Sequence, residues 1–185
     1  MNRFKIVVPV YNCEKWIGKT IESIKNQKYQ NFECLVIDDI STDSTVAVIK
    51  RAIAGDSRFT FISNTEKKYA LRNFYEGFSL ISDDKEDILI TVDGDDWLYG
   101  DHVFQTLNDV YIKTDCLITY GSFIEYPSRI THPHLLCPYD QTVIKNNSFR
   151  DAPWKASHLR TFKKKLWDKI NVEDFIDPDI ADFYT

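Results

Sequence analysis

Ile88-Leu89-Ile90-Thr91-Val92-Asp93-Gly94-Asp95-Asp96 decides how this chain folds, because an apolar run ends there in three carboxylates gathered around one glycine. Ile, Leu and Val in succession, without polar alternation, describe a strand buried on both faces, as in a parallel sheet. Open parallel sheets bind their ligands beyond the carboxyl ends of the strands, where these acids fall. The carboxylates repel one another unless a cation sits among them. A type I′ hairpin at Asp93-Gly94 is the alternative reading. It requires a returning strand, whereas Val103, Phe104, Leu107, Val110 and Tyr111, after Asp101, have helical spacing.

The same alternation extends in both directions. Phe4–Val10 reads as a first strand, followed by a helical face at Trp16, Ile17, Thr20, Ile21 and Ile24. Phe32–Ile37 is a second strand, after which Ser41 or Thr42 can cap a helix bearing Val46, Ile49 and Ile53. Phe59–Ser63 is a shorter strand, and Ala70, Phe74, Phe78 and Ile81 form the helical stripe that leads into Ile88–Val92. The helix from Asp101 and a strand over Cys116–Tyr120 complete a βαβαβαβαβ series. The fold class is α/β, a mainly parallel sheet covered by helices with right-handed crossovers. Beyond Gly121 the pattern weakens, and Pro127, Pro133, Pro138 and Pro153 punctuate a long irregular stretch of the kind that is often functional. A short helix is expected over Lys163–Ile170, with Lys163-Lys164-Lys165 a solvated face.

With 185 residues, 43% of them hydrophobic and 14% aromatic, the chain fits one globular domain with a real core, or at most one and a small appendage. Its net charge of −5 argues against a nucleic-acid backbone as partner. Cys13, Cys34, Cys116 and Cys137 have neither zinc-ligand spacing nor a disulfide framework, and Cys34 and Cys116 read as core residues. No segment has the length and apolarity of a membrane span or a signal peptide, so the expected setting is cytoplasmic or peripheral to a membrane.

The strand ends collect further chemistry. Strand one ends in Pro9-Val10-Tyr11-Asn12 and strand two in Asp38-Asp39, so the predicted sheet edge gathers an aromatic ring and two acid groups. Singly, each has a plain explanation: packing for Tyr11, a helix cap for Asn12, a turn for Asp38-Asp39. Together they suit a nucleotide, since an aromatic face stacks on a base and a carboxylate accepts from an imide or a ribose hydroxyl. Asp93 and Asp95, separated by Gly94, suit a hard cation such as Mg²⁺ or Mn²⁺.

Three ordered motifs then carry a resemblance. Ile6-Val7-Val8-Pro9-Val10-Tyr11-Asn12, Val36-Ile37-Asp38-Asp39-Ile40-Ser41-Thr42-Asp43-Ser44-Thr45 and Asp93-Gly94-Asp95-Asp96-Trp97-Leu98 resemble the family-two glycosyltransferases of Rossmann-like GT-A fold. The resemblance implies transfer of a sugar from a nucleotide diphosphate, expected to be a UDP-sugar, with inversion and a divalent metal. It implies base contacts from Tyr11 and Asp39 beside Pro9, a ribose contact from Asp93, metal binding by Asp95 with Asp93, and a nucleotide contact from Arg72. Asp38 is expected to be a structural partner of Asp39. The implied division of labour is a nucleotide-sugar and metal half over 1–125 and an incomplete acceptor-side half over 126–185. The acceptor, whether saccharide, protein or lipid, is not specified.

The chemistry is consistent in itself. Departure of a nucleoside diphosphate builds charge on the leaving oxygen, which a metal stabilises, and inversion needs a carboxylate base for the acceptor hydroxyl. In the family that base follows the second half of the domain, so it is expected beyond Thr185, with Asp179, Asp182 and Asp96 as stand-ins. Near Ala152–Phe162, His158 is a candidate metal or phosphate ligand, and Arg160 and Lys155 are candidates to neutralise the diphosphate. Trp97 and Trp154 are candidates to stack on a sugar. The rival readings are a nucleotide-sugar-binding module without its base and a sugar nucleotidyltransferase. The latter calls for a glycine-rich phosphate loop after strand one, where Tyr11-Asn12-Cys13-Glu14 stands instead.

Overall fold

The computed structural model describes residues 1–184 and divides into two compact units, one of 1–117 with 162–184 and one of 118–161. The first unit is built on β1 (Phe4–Val10), β2 (Phe32–Asp38), β3 (Phe59–Ser63) and β4 (Ile88–Thr91), ordered β3-β2-β1-β4 with every pairing parallel. The α/β architecture with a mainly parallel sheet, expected from the sequence, is therefore the one found. All seven residues of β1 are buried, as its unbroken apolar run requires of a central strand.

Helices α1 (Ile17–Lys25), α2 (Thr45–Ile53), α3 (Tyr69–Ile81) and α4 (Val103–Thr114) connect the strands. Successive side chains alternate between the faces of the sheet. Val7, Leu35, Ile37 and Leu89 form one face and pack with Phe78 of α3. A Cβ on Gly77 would lie 2.8 Å from Val7 Cγ1, so the glycine lets α3 lie close to β1. On the other face Phe4 and Phe32 meet Phe104 of α4 at centroid distances of 5.5 and 5.3 Å. The segment after Asp93-Gly94 leads to α4 rather than to a returning strand, so the hairpin alternative falls.

Several local expectations need correction. The N-cap position of α2 is Ser44, because Ser41 and Thr42 are engaged with Asp38 and Asn12 in the preceding loop. Cys116 is only half-buried and precedes β5 (Ile118–Gly121), whereas Cys34 is fully buried. Burial pushes the Cys34 thiol far above its ordinary value. The helix α6 is confined to Lys164–Trp167. Lys163 is a buried strand-end residue, not part of a solvated face, and pairs with Asp115 at 2.8 Å and Glu86 at 3.4 Å. Lys164 and Lys165 pair with Asp168 and Glu86.

The C-terminal part of the first unit packs on α3 through aromatic rings. Trp167 stacks on Phe162 at 5.2 Å and meets Phe78 at 5.4 Å and Phe175 at 5.3 Å. The two short strands β7 (Ile176–Asp177) and β8 (Asp182–Phe183) pair antiparallel, and Phe183 reaches Tyr75 at 5.6 Å.

The second unit contains β5, helix α5 (Gln141–Asn146) and most of β6 (Ser157–Lys163). Thr119 and Thr161 share a hydroxyl hydrogen bond of 2.6 Å, and Gly121 packs on the His158 carbonyl, so β5 and β6 run in opposite directions. Asp140 caps α5 by accepting from the Thr142 N–H.

Candidate functional site

Strand register brings the motifs of the first unit together. Val10 lies opposite Asp38, the Asp39 N–H donates to the Val10 carbonyl at 2.8 Å, and the Val92 N–H donates to Val7 at 3.2 Å. The carboxyl ends of β1, β2 and β4 thus form one edge.

Gly94 is wedged under the end of β1. An added Cβ would lie 2.5 Å from Val10 Cγ1 and 3.1 Å from the Pro9 carbonyl oxygen, and the Gly94 carbonyl accepts from buried Thr20 Oγ1 at 3.0 Å. The Asp96 N–H closes the turn onto the Asp93 carbonyl at 3.0 Å. Asp93 is half-buried, while Asp95 and Asp96 are exposed. Just beyond, Trp97 stacks on Trp16 at 6.0 Å and lies under Lys19 Nζ at 3.4 Å, so its ring is engaged with the protein. Carboxylate oxygens on a rigid turn are hard donors suited to Mg²⁺ or Mn²⁺, so the residues fit the expected metal. Cys13 senses these acids: burial chiefly, then the charge of Asp95, raises its thiol above the ordinary value.

Asp39 is nearly inaccessible, 3% exposed, yet it is held as a carboxylate. Burial alone would raise its pKa, but hydrogen bonds from Asn64 and from the Lys68 and Tyr69 N–H groups outweigh that and lower it. Oδ1 accepts from Asn64 Nδ2 and the Lys68 N–H, both at 2.8 Å, and Oδ2 accepts from the Tyr69 N–H at 2.9 Å. Asn64 is oriented in turn by buried Asn73 at 2.8 Å. Asp38 has a different role from the one expected: it accepts from the Ser41 N–H and Ser63 Oγ, and so ties the loop after β2 to the end of β3.

Three non-glycine residues around this edge have left-handed backbone: Asn12 at φ 52°, Ile40 at φ 60° and Tyr69 at φ 58°. A β-branched residue in that region is a true outlier, and such strain concentrates at functional positions. Nothing in their residue types announced Ile40 or Tyr69.

Tyr11 is 48% exposed at the rim. Arg72, expected near the nucleotide, is paired with Glu76 at 2.8 Å and Glu66 at 3.5 Å. The Glu76 bond, above all, holds Arg72 more firmly cationic than usual, with a smaller contribution from Asp182. Asp179 and Asp182 are exposed in the C-terminal part of the same unit. His158 and Arg160 lie in the second unit, His158 beside the Phe123 ring and Arg160 Nε donating to the Ala156 carbonyl at 2.9 Å. That unit also holds a histidine–carboxylate pair, His132 Nε2 to Glu125 at 2.8 Å. Lys155 donates to the Pro138 carbonyl at 2.9 Å, and Trp154 is exposed.

A parallel sheet whose carboxyl edge gathers acidic residues and strained backbone places the chain among α/β domains of the doubly wound kind. The family described as Glycosyl transferase family 2 matches residues 5–176, and the chain belongs to that family. Among its relatives, the Escherichia coli protein named UDP-Glc:alpha-D-GlcNAc-diphosphoundecaprenol beta-1,3-glucosyltransferase WfaP is 31% identical over 166 residues, covering 80% of this chain and 65% of its own length. In structure, the chain resembles S. aureus TarS 1-349 in complex with UDP-GlcNAc, at a TM-score of 0.68 and 16% identity, over 95% of this chain and 48% of that one. It also resembles the mannosyltransferase PcManGT from Pyrobaculum calidifontis in complex with GDP-Man and Mn²⁺, at a TM-score of 0.65 and 17% identity, over 90% and 46%. The chain spans 24%, 48% and 65% of the length of three curated relatives. Among the described residues, no helix is long and apolar enough to cross a membrane.

Proposed function

We propose that this chain is the donor-binding part of an inverting, metal-dependent glycosyltransferase that takes its sugar from a UDP-sugar and passes it to an acceptor hydroxyl of a saccharide, protein or lipid. The observation that carries this reading is the wedged Asp93-Gly94-Asp95 turn beside the buried, ionised Asp39. The family and the names of its relatives support it, since WfaP is described as using UDP-Glc and TarS is seen with UDP-GlcNAc.

In this reading Tyr11 offers its face to the uracil ring beside Pro9, and Asp39 accepts from the imide N–H. Asp93 accepts from a ribose hydroxyl, and Asp95, with Asp93, holds Mn²⁺ or Mg²⁺. The cation, when bound, supplies Lewis-acid stabilisation of the departing diphosphate. Gly94 keeps both carboxylates in place by fixing the turn against β1. Arg72 exchanges Glu76 for the nucleotide, and Arg160 and His158 serve the phosphates. Residues 1–125 do the donor work and residues 126–185 contribute to the acceptor side, in a cytoplasmic or membrane-peripheral setting. The base is a carboxylate, with Asp96, Asp179 and Asp182 the candidates in this sequence.

Calorimetry with UDP, with and without Mn²⁺, tests the reading. Mn²⁺ should tighten UDP binding to the native chain but not to Asp95→Ala. Equal UDP affinity with and without the metal refutes the metal role, and tighter binding of GDP than of UDP refutes the uracil assignment.

A further inference from the structure

Tyr11 and Asp39, the two groups assigned above to the base, are bridged by a third residue. Lys67 places Nζ 2.9 Å from the centroid of the Tyr11 ring and 3.4 Å from Asp39 Oδ2, and donates to the Asp39 carbonyl oxygen at 3.3 Å. A base stacked on that face of Tyr11 at roughly 3.5 Å, the ordinary contact distance, would overlap the ammonium. The Asp39 carboxylate is also engaged: Asn64 and two backbone amides hydrogen-bond it, and Lys67 pairs with Oδ2 as its counter-ion.

Of these four partners only Lys67 has freedom to leave. The Lys68 and Tyr69 amides are fixed in the backbone, and Asn64 is held by buried Asn73. Lys67 has a flexible four-carbon stem and a side chain 26% exposed, so rotation alone carries its head into water while its neighbours keep their bonds to Asp39.

We propose that Lys67 is a placeholder for the nucleobase, seating its ammonium between Tyr11 and Asp39 and swinging out when a base enters. The inference rests on the base-slot reading above. It makes Lys67 a residue that sets donor affinity, because an entering base must offer both a flat face for Tyr11 and a hydrogen-bond donor for Asp39 in exchange for the cation.

The test is titration of uridine, which has no phosphate for Lys67 to attract, into the native chain, Lys67→Ala, Lys67→Arg and Asp39→Asn. If the slot is closed in about nine molecules of ten, its apparent affinity is lowered about tenfold, so Lys67→Ala should bind uridine about tenfold more tightly. Lys67→Arg, which keeps a cation, should stay within about twofold of native on the same argument. A damaged slot weakens binding, so the direction separates a released placeholder from a disturbed fold. Native or weaker uridine affinity in Lys67→Ala overturns the placeholder; if Asp39→Asn still abolishes binding, the base slot itself stands. Absence of uridine binding in every form, or Asp39→Asn binding like native, removes the base slot and the placeholder with it.

Discussion

Gly94→Ala is the substitution whose outcome the structure fixes most tightly. The new methyl carbon would sit 2.5 Å from Val10 Cγ1, 3.0 Å from Val10 Cβ and 3.1 Å from the Pro9 carbonyl oxygen. Two of these atoms belong to the rigid frame of β1, and Val10 is only 3% exposed, so the strand has little room to yield. The turn must move instead, straining the Thr20 hydroxyl bond to the Gly94 carbonyl. Overpacking of this kind costs about 1–3 kcal/mol, and loss of one neutral hydrogen bond about 1 kcal/mol, so about 2–4 kcal/mol is expected. For a chain of this size, that lowers the melting midpoint by roughly 5–15 °C. Urea unfolding of native, Gly94→Ala, Val10→Ala and the double variant measures it. Removing Cγ1 takes away the closest contact, so the double variant should lose less than the sum of the single losses by at least about 1 kcal/mol. A Gly94→Ala protein within about 0.5 kcal/mol of native, the range of an ordinary surface change, would show that the wedge does not exist.

Three further outcomes follow. Asp39 has a folded pKa below its unfolded value, so its contribution to stability is present above about pH 4 and is lost as pH falls through the folded pKa. Asp39→Asn should cost about 1.5–3 kcal/mol near neutrality, and urea titrations should show the gap to native closing toward pH 2; a gap independent of pH refutes the charged role. The Asp95 charge helps to hold the Cys13 thiol up, so Asp95→Ala, or Mn²⁺ bound at Asp95, should speed Cys13 alkylation at fixed pH, and an unchanged rate would place the ion elsewhere. Trp167→Ala should cost about 3 kcal/mol, the low end for a large aromatic because the ring is half-buried, and should expose the segment after 162 to proteolysis before the rest of the first unit.

The legible parts of this molecule were those with a local cause. An unbroken apolar strand such as β1 or β4 announces burial on both faces, and a parallel sheet then places strand-end residues at one edge, so the position of Tyr11, Asp39 and Asp93–Asp95 at that edge is legible in the sequence. What remained hidden depends on partners distant in sequence. The donors to Asp39 come from 25 to 30 residues away, and Lys67 in Glu66-Lys67-Lys68 looks like one of many solvated lysines. Ser41 resembled a helix cap because the residue type suits both a cap and a loop; its N–H instead donates to Asp38, while its hydroxyl accepts from the Asn12 N–H. Cys116 looked like core because it precedes apolar residues, but Leu117 and Ile118 are themselves exposed.

Strain and hydrogen bonding at the carboxyl edge bear on which part of it moves. Left-handed backbone at Asn12, Ile40 and Tyr69 costs about 1–3 kcal/mol each, and persists only where neighbours over-determine it. They do so here: the Asn12 N–H donates to Ser41 Oγ at 2.9 Å, Asn12 Oδ1 accepts from the Thr42 N–H at 2.8 Å, and the Tyr69 N–H donates to Asp39. Ile40 is clamped between two anchored neighbours, Asp39 and Ser41. Relaxing any one of these residues breaks a bond held by another, so the backbone around the edge behaves as a fixed frame. A side chain bound to that frame only by its charged end can exchange places with a ligand without breaking it, and Lys67 is bound in that way.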